Sequence, residues 1–334
     1  MSSSLELQNA RLLDGTGSPA RRSNVLVSGG RIRRVGDEPA GADRVIDLDG
    51  SCLAPGFIDM HAHSELRLLE RPGAVEKLTQ GVTTEVLGQD GVSVAPVPSG
   101  KKSDWTSRIE SLDGRLDGEW PWNTVAGYLD ELDAAGTAVN TVYYAPHGNL
   151  RSLVAGFEDR KLTAGERTTL EDHLRTAIEA GAFGMSKGMI YPPSSYARDD
   201  ELVALASVLG EYDSFMISHV WNETDYVVES IKRYADICER GGCQPHVSHL
   251  KVGGVENWGT SREIRKLVDA IERSGGRITF DQYPYTAGST MLTALLPPWA
   301  RQGTDEEIRK RLRPPEIVED IAADIAYQRV DPER

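Results

Sequence analysis

Residues 53–65 read LAPGFIDMHAHSE. The run PGFID is strand-like and apolar, and two histidines follow it one residue apart, His61 and His63. Side chains alternate faces along a strand, so positions i and i+2 point the same way. Two imidazoles on one face at a strand end can hold one metal ion. A solvated surface strand would not carry so apolar a run.

Outward from this segment the pattern changes character. Residues 1–56 carry short strand-like stretches bounded by Gly, Asp and Ser, with Ser28-Gly29-Gly30 as a hairpin turn, which predicts a small β-sandwich part. From residue 57 strands and helices alternate. GVTTEVLG, AVNTVYYAPHG, GAFGMSKG, SFMISHV, QPHVSHLK and RITFDQYPY read as further strands. Helical stretches lie between most of them, and TAGERTTLEDHLRTAIEAG offers Thr163 as a cap with Glu166 three residues later. Seven strands in alternation with helices argue for a parallel α/β sheet. Polar residues stand at nearly every strand exit: His61, His63, Asp90, His147, Lys187, His219, His249 and Asp281. A (β/α)₈ barrel gathers such exits on one rim, where its active sites lie. The expectation is therefore a TIM-like barrel over 57–286, incomplete at about seven strands, with 287–334 as the start of a helical insertion.

Composition narrows the function. In 334 residues, 37 Lys and Arg face 51 Asp and Glu, a net charge of −14. That balance and the lack of a basic stripe oppose binding to nucleic acid or an anionic membrane. MSSSLELQNA has no apolar signal core, and nothing approaches 18 consecutive apolar residues, so a cytoplasmic location is expected. Cys52, Cys238 and Cys243 form no CxxC and no disulfide framework, and Cys238 and Cys243 read as buried thiols. A small homo-oligomer is only a default.

His219 and His249 each end a short apolar run and follow a serine, in consecutive strand–helix units. With His61 and His63 they make four metal-ligand candidates, and Asp90 adds a carboxylate able to ligate or to orient a histidine. His147, at the third strand's exit, is a candidate for substrate contact. Lys187 has three readings: a partner for Asp90, a clamp for an anionic substrate group, or an amine carboxylated by CO₂ to N6-carboxylysine bridging two metals. Such a donor set suits zinc, one or two ions, better than calcium or magnesium. A metal of this kind polarises a carbonyl and acidifies water, which predicts hydrolysis without a covalent intermediate. Tyr283, Ser289 and Lys251 stand where a substrate carboxylate or an oxyanion could be held.

The ordered set PGFIDMHAH, GVTTEVLGQDGVS, APHGNLR, GAFGMSKGMIYPPSSYA, SHLK and DQYPYTAGST resembles the amidohydrolase superfamily, and within it the N-acyl-D-amino-acid deacylases, or D-aminoacylases. The resemblance runs from about Leu5 to Leu296. It implies a β-sandwich packed on a metal-bearing barrel and hydrolysis of N-acyl-D-amino acids to a carboxylate and a D-amino acid. It implies His61, His63, His219 and His249 as metal ligands, and Lys251, Tyr283 and Ser289 as holders of the substrate's α-carboxylate. Two departures stand out. Gln89-Asp90-Gly91 replaces the family's Asn-Cys-Gly turn, so a carboxylate takes the place of a bridging thiolate. Lys187 replaces a small hydroxyl residue, which keeps cyclic-amide hydrolases of the hydantoinase or dihydroorotase type, and dipeptide hydrolases, as alternatives. The family's catalytic aspartate lies on an eighth strand, which the resemblance locates beyond Arg334. The expectation is then an N-terminal portion of a longer enzyme, with a truncated, non-catalytic metal-binding protein as the further alternative.

Overall fold

The computed structural model describes residues 3–116, 120–297 and 299–327. The chain divides into two compact units, residues 1–57 and 58–334. The first unit is one five-stranded mixed sheet of β1 (Ser4–Leu12), β2 (Arg21–Ser28), β3 (Arg31–Gly36), β4 (Arg44–Asp47) and β5 (Cys52–Leu53). The order is β3-β2-β1-β4, with β5 also on β1. β1–β2 and β2–β3 are antiparallel, whereas β4 and β5 run parallel to β1. Gly29 and Gly30 form the two-residue turn between β2 and β3 with φ of 61° and 69°. Two successive positive φ values match the strand twist of a tight hairpin, which is why glycines stand there. A second sheet, needed for the expected sandwich, is not seen among the described residues of this unit.

The second unit alternates strand and helix. Its strands are β6 (Phe57–Asp59), β7 (Val82–Leu87), β8 (Asn140–Tyr143), β9 (Ala145–Pro146), β10 (Gly184–Gly188), β11 (Phe215–His219), β12 (Gln244–Val247) and β13 (Thr279–Phe280). Helices α1 (Glu65–Glu70) and α2 (Val75–Leu78) lie between β6 and β7, and α3 (Lys102–Asp113) and α4 (Val125–Ala135) between β7 and β8. α5 (His147–Ala155) and α6 (Ala164–Glu179) precede β10. α7 (Asp199–Glu211), α8 (Val227–Gly241) and α9 (Ser261–Arg273) follow β10, β11 and β12 in turn, and α10 (Asp305–Arg311) and α11 (Pro315–Tyr327) come last. One sheet has the order β6-β7-β8, the other β13-β12-β11-β10-β9. Only Tyr144 separates β8 from β9, so one stretch of chain borders both sheets. The pairs β7–β8 and β9 through β13 are parallel. The fold is thus α/β with parallel sheets.

Local signals account for the elements. Thr163 caps α6 and Glu166 returns the bond, a full capping box. α8 stops at Gly242, whose φ of 76° lets its N–H reach the Cys238 carbonyl. β10 is buried along its whole length, as a strand covered on both faces requires. The core runs through Leu66, Leu87, Trp105, Tyr128, Leu174 and Met216, all buried. Among the described residues no helix is long and apolar enough to cross a membrane.

Candidate metal centre

The strand exits of the second unit bring five predicted residues together. β6 ends at Asp59, two residues short of His61, so the two histidines stand on the loop after the strand and not on the strand itself. Both still aim at one carboxylate oxygen: His61 Nε2 lies 3.4 Å and His63 Nε2 3.5 Å from Asp90 Oδ2. The other oxygen, Asp90 Oδ1, lies 3.3 Å from His249 Nε2 and 3.9 Å from His219 Nδ1. The nitrogens His219 Nδ1 and His249 Nε2 are 2.9 Å apart. The donor atoms therefore form two groups that share Asp90: His61, His63 and Asp90, and Asp90, His219 and His249.

The backbone gives up regular conformation to make this arrangement. Asp90 has φ of 55° and His249 of 37°, left-handed values that are strained for residues other than glycine. Next to Asp90, Gly91 also has a positive φ of 70°, and a Cβ there would fall 2.6 Å from the Gly188 amide nitrogen. Only glycine fits that close approach of the β7 exit to β10.

A second layer of carboxylates surrounds the imidazoles. His63 Nδ1 is 3.0 Å from Asp113 Oδ1, and His249 Nδ1 is 3.0 Å from Glu223 Oε1. Glu223 Oε2 lies 3.7 Å from His219 Nε2 and 2.6 Å from Lys251 Nζ. Asp281 accepts from His246 Nε2 at 3.0 Å and from the His249 amide at 2.7 Å, and its Oδ2 stands 3.9 Å from His61 Nδ1. His246 therefore braces Asp281.

The electrostatics follow from this packing. Burial by itself would raise the Asp90 carboxyl. The surrounding imidazoles, His61 first, overcome it and hold Asp90 well below the usual carboxylate range. Burial opposes charge on His63, but Asp113 and Asp90 lift it well above the ordinary histidine value. His249 is raised to about 9 against its burial by Asp90 and Glu223, while burial takes His219 down to about 4. Glu223 falls to about 2 despite burial, because His249, His219 and Lys251 face it. Buried Asp90 Oδ1 and His61 Nδ1 have no hydrogen-bond partner among the described residues. Orphaned buried polar atoms are costly, and four imidazoles around one carboxylate are a donor set that fits zinc or a related first-row ion.

The site opens into a cavity of about 740 Å³ that Lys251, Tyr283 and Ser289 also line. Lys251 Nζ is 2.9 Å from His249 Nδ1 and lies over the Tyr283 ring, 5.7 Å from its centroid. Two predicted residues are elsewhere. His147 opens α5 and is buried, with Nδ1 3.1 Å from Ser194 Oγ and Nε2 3.0 Å from Glu201 Oε1. Both ring nitrogens are engaged in that network, so the position expected to meet substrate is an anchor between α5 and α7. Lys187 does not join the histidines either. In β10, Ser186 Oγ accepts the Gly91 N–H, and the next side chain points to the opposite face. Lys187 Nζ lies 4.1 Å from the centroid of Trp221 and 4.6 Å from that of Tyr234. It has neither a hydrogen bond nor, among the described residues, a carboxylate partner. Of the three readings of Lys187, the pairing with Asp90 is not seen, and the amine expected to carry the metal-bridging carboxylate is turned toward α8 by strand alternation.

Sequence reasoning missed Glu223 and Asp113. Glu223 carried a signal, a carboxylate four residues after the strand-end His219. Asp113 carried none, since it ends a helix 50 residues from His63.

The donor set stands at the exits of parallel strands, where α/β folds of this kind gather their functional residues. The profile of the amidohydrolase family (Amidohydro_3) matches residues 44–304, and the chain belongs to that family. It is 34% identical over 289 residues to a D-aminoacylase of Alcaligenes xylosoxydans xylosoxydans, covering 86% of this chain and 58% of that protein. It is 34% identical over 324 residues to an N-acyl-D-glutamate deacylase of the same organism, covering 96% of this chain and 64% of that protein. The crystal structure of N-acyl-D-glutamate deacylase from Bordetella bronchiseptica, complexed with zinc and a phosphonate inhibitor, superposes with a TM-score of 0.76 at 34% identity. That match covers 85% of this chain and 59% of the other. The chain thus spans about three-fifths of the length of these relatives.

Proposed function

We propose that the second unit forms most of a (β/α)₈ barrel that carries a binuclear zinc centre for the hydrolysis of N-acyl-D-amino acids. The observation that carries this reading is one carboxylate, Asp90, shared by two histidine pairs beside Lys251 in a single cavity. His61, His63 and Asp90 would hold one ion, and Asp90, His219 and His249 the other. Zinc there would supply Lewis acidity to the amide carbonyl and acidify a water molecule. The chain's own residues do the rest. The Lys251 ammonium meets the substrate's α-carboxylate, and Tyr283 and Ser289 offer hydroxyls from the same wall. Glu223 keeps Lys251 oriented until a substrate carboxylate competes for it.

Lys251 is the only Lys or Arg among the described residues lining the cavity. One cation serves one carboxylate, so the side chain of the preferred D-amino acid is neutral, and an acidic one would be buried without a partner. Zinc-loaded protein is expected to release D-amino acid from N-acetyl-D-leucine faster than from N-acetyl-D-glutamate, and to leave N-acetyl-L-leucine intact. Equal rates on hydantoins or dihydropyrimidines would sink the reading. Replacing Lys251 with Ala removes a charge-assisted hydrogen bond of about 1.5–3 kcal/mol, so KM should rise about tenfold or more. Steady-state kinetics on N-acetyl-D-leucine check this.

A general base needs a carboxylate or imidazole free to take a proton. Asp59, Asp90, Glu223 and Asp281 are the lining carboxylates, and each has a Lys or His partner. The 334-residue chain alone is therefore expected to turn over slowly, since a positioned base contributes roughly 10²–10⁴-fold. A cyclic-amide hydrolase with N6-carboxylysine at Lys187 has less support, because the amine lies against Trp221 and Tyr234.

A further inference from the structure

We infer that Asp113 and Glu223 are positioning residues that act separately, each setting the metal affinity of one half of the centre. This rests on the binuclear reading above. An imidazole that gives one nitrogen to a metal needs its other N–H held, which fixes both the tautomer and the ring plane. Asp113 does this for His63. Its side chain is fully buried, and Oδ1 is 3.0 Å from Nδ1, a contact that would hold the Nδ1–H and leave Nε2, which faces Asp90, to a metal. Glu223 braces the other pair: its Oε1 is 3.0 Å from His249 Nδ1, a nitrogen that Lys251 Nζ also approaches at 2.9 Å, its Oε2 holds Lys251 Nζ at 2.6 Å, and the same oxygen faces His219 Nε2 at 3.7 Å.

The two carboxylates come from different parts of the chain. Asp113 is the last residue of α3, in the long connection between β7 and β8. Glu223 stands between β11 and α8. They share no histidine: Asp113 touches only the His61–His63 side, Glu223 only the His219–His249 side. Asp90 is the neighbour common to both sides, so each substitution is expected to act first on the histidine it touches and to reach the other side only through Asp90. The centre is thus expected to have two separate supports, one of them supplied by an insertion helix outside the strand–helix repeat.

Isosteric amides test this, because Asp113→Asn and Glu223→Gln keep shape and remove charge. Each is combined with a background that retains one half of the centre, His61→Ala or His219→Ala. Zinc affinity is measured on the whole 334-residue chain by chelator competition, with the cobalt-substituted visible spectrum recorded in parallel. In the His219→Ala background, Asp113→Asn should weaken zinc binding about 10–100-fold and shift the cobalt band, while Glu223→Gln changes neither. In the His61→Ala background the roles should reverse. Effects of equal size in both backgrounds, or none in either, would overturn the inference while leaving the binuclear reading in place. A third zinc lost with Asp113→Asn would also overturn it, making His63, Glu65 and Asp113 a cation site of their own. Failure of the unsubstituted chain to bind zinc would overturn the binuclear reading itself.

Discussion

Asp90→Asn is expected to strip the protein of both metal ions at zinc concentrations that saturate the unsubstituted chain. Each oxygen of this carboxylate faces a different histidine pair, so one substitution reaches both positions. Asp90 also stands among the four imidazoles, which hold it ionised in spite of full burial. Removing one member of a buried charge pair typically costs about 2–5 kcal/mol, or roughly 30-fold to several-thousandfold in affinity. An amide cannot take the charge of a divalent ion, and it cannot balance His63 and His249, which Asp90 helps to raise. Elemental analysis after gel filtration reads the loss. Retention of both ions by Asp90→Asn would remove the carboxylate from the ligand set.

The second large effect concerns stability. Lys187 is buried without a hydrogen-bond partner, and burial takes its amine from 10.5 down to about 7. Between those values the unfolded chain binds a proton that the folded chain does not, so stability rises with pH across the window. Below about pH 7 both states are protonated and the penalty is full and constant. At about 1.4 kcal/mol per pKa unit, the lost charge solvation comes to about 4–5 kcal/mol. The faces of Trp221 and Tyr234 return about 2 kcal/mol through cation–π attraction. Lys187→Met should therefore stabilise the protein by about 2–3 kcal/mol at pH 6, with the gain fading toward pH 10. Denaturant unfolding at several pH values measures it. The same variant should keep its full zinc content, because the amine lies outside the centre. Loss of metal from Lys187→Met would restore a carboxylated bridging lysine.

These two residues also mark where sequence could and could not be read. Asp90 was legible through its place at a strand exit, although Asp-Gly is also an ordinary turn pair. His219 and His249 were legible for the same reason, together with the apolar runs before them. The alternation of strand and helix carried the fold class, since buried parallel strands leave near-continuous apolar runs such as SFMIS. Lys187 was misread by a single step of strand register. Position 186 faces the site and position 187 faces α8, and period-2 alternation makes a one-residue slip a change of face. The small N-terminal part was read as strands correctly, but its turn glycines do not report how many sheets those strands form. Asp113 was beyond reach for a different reason. Its contact with His63 joins residues 50 apart through a helix with no local mark of function.

The central claim is that one carboxylate divides four histidines into two metal positions. Zinc-edge anomalous scattering from crystals of the zinc-loaded chain tests it most directly. Two peaks are predicted, one beside Asp90 Oδ2 with His61 and His63, the other beside Oδ1 with His219 and His249. A single peak away from Asp90, or a peak coordinated by Lys187, would contradict it.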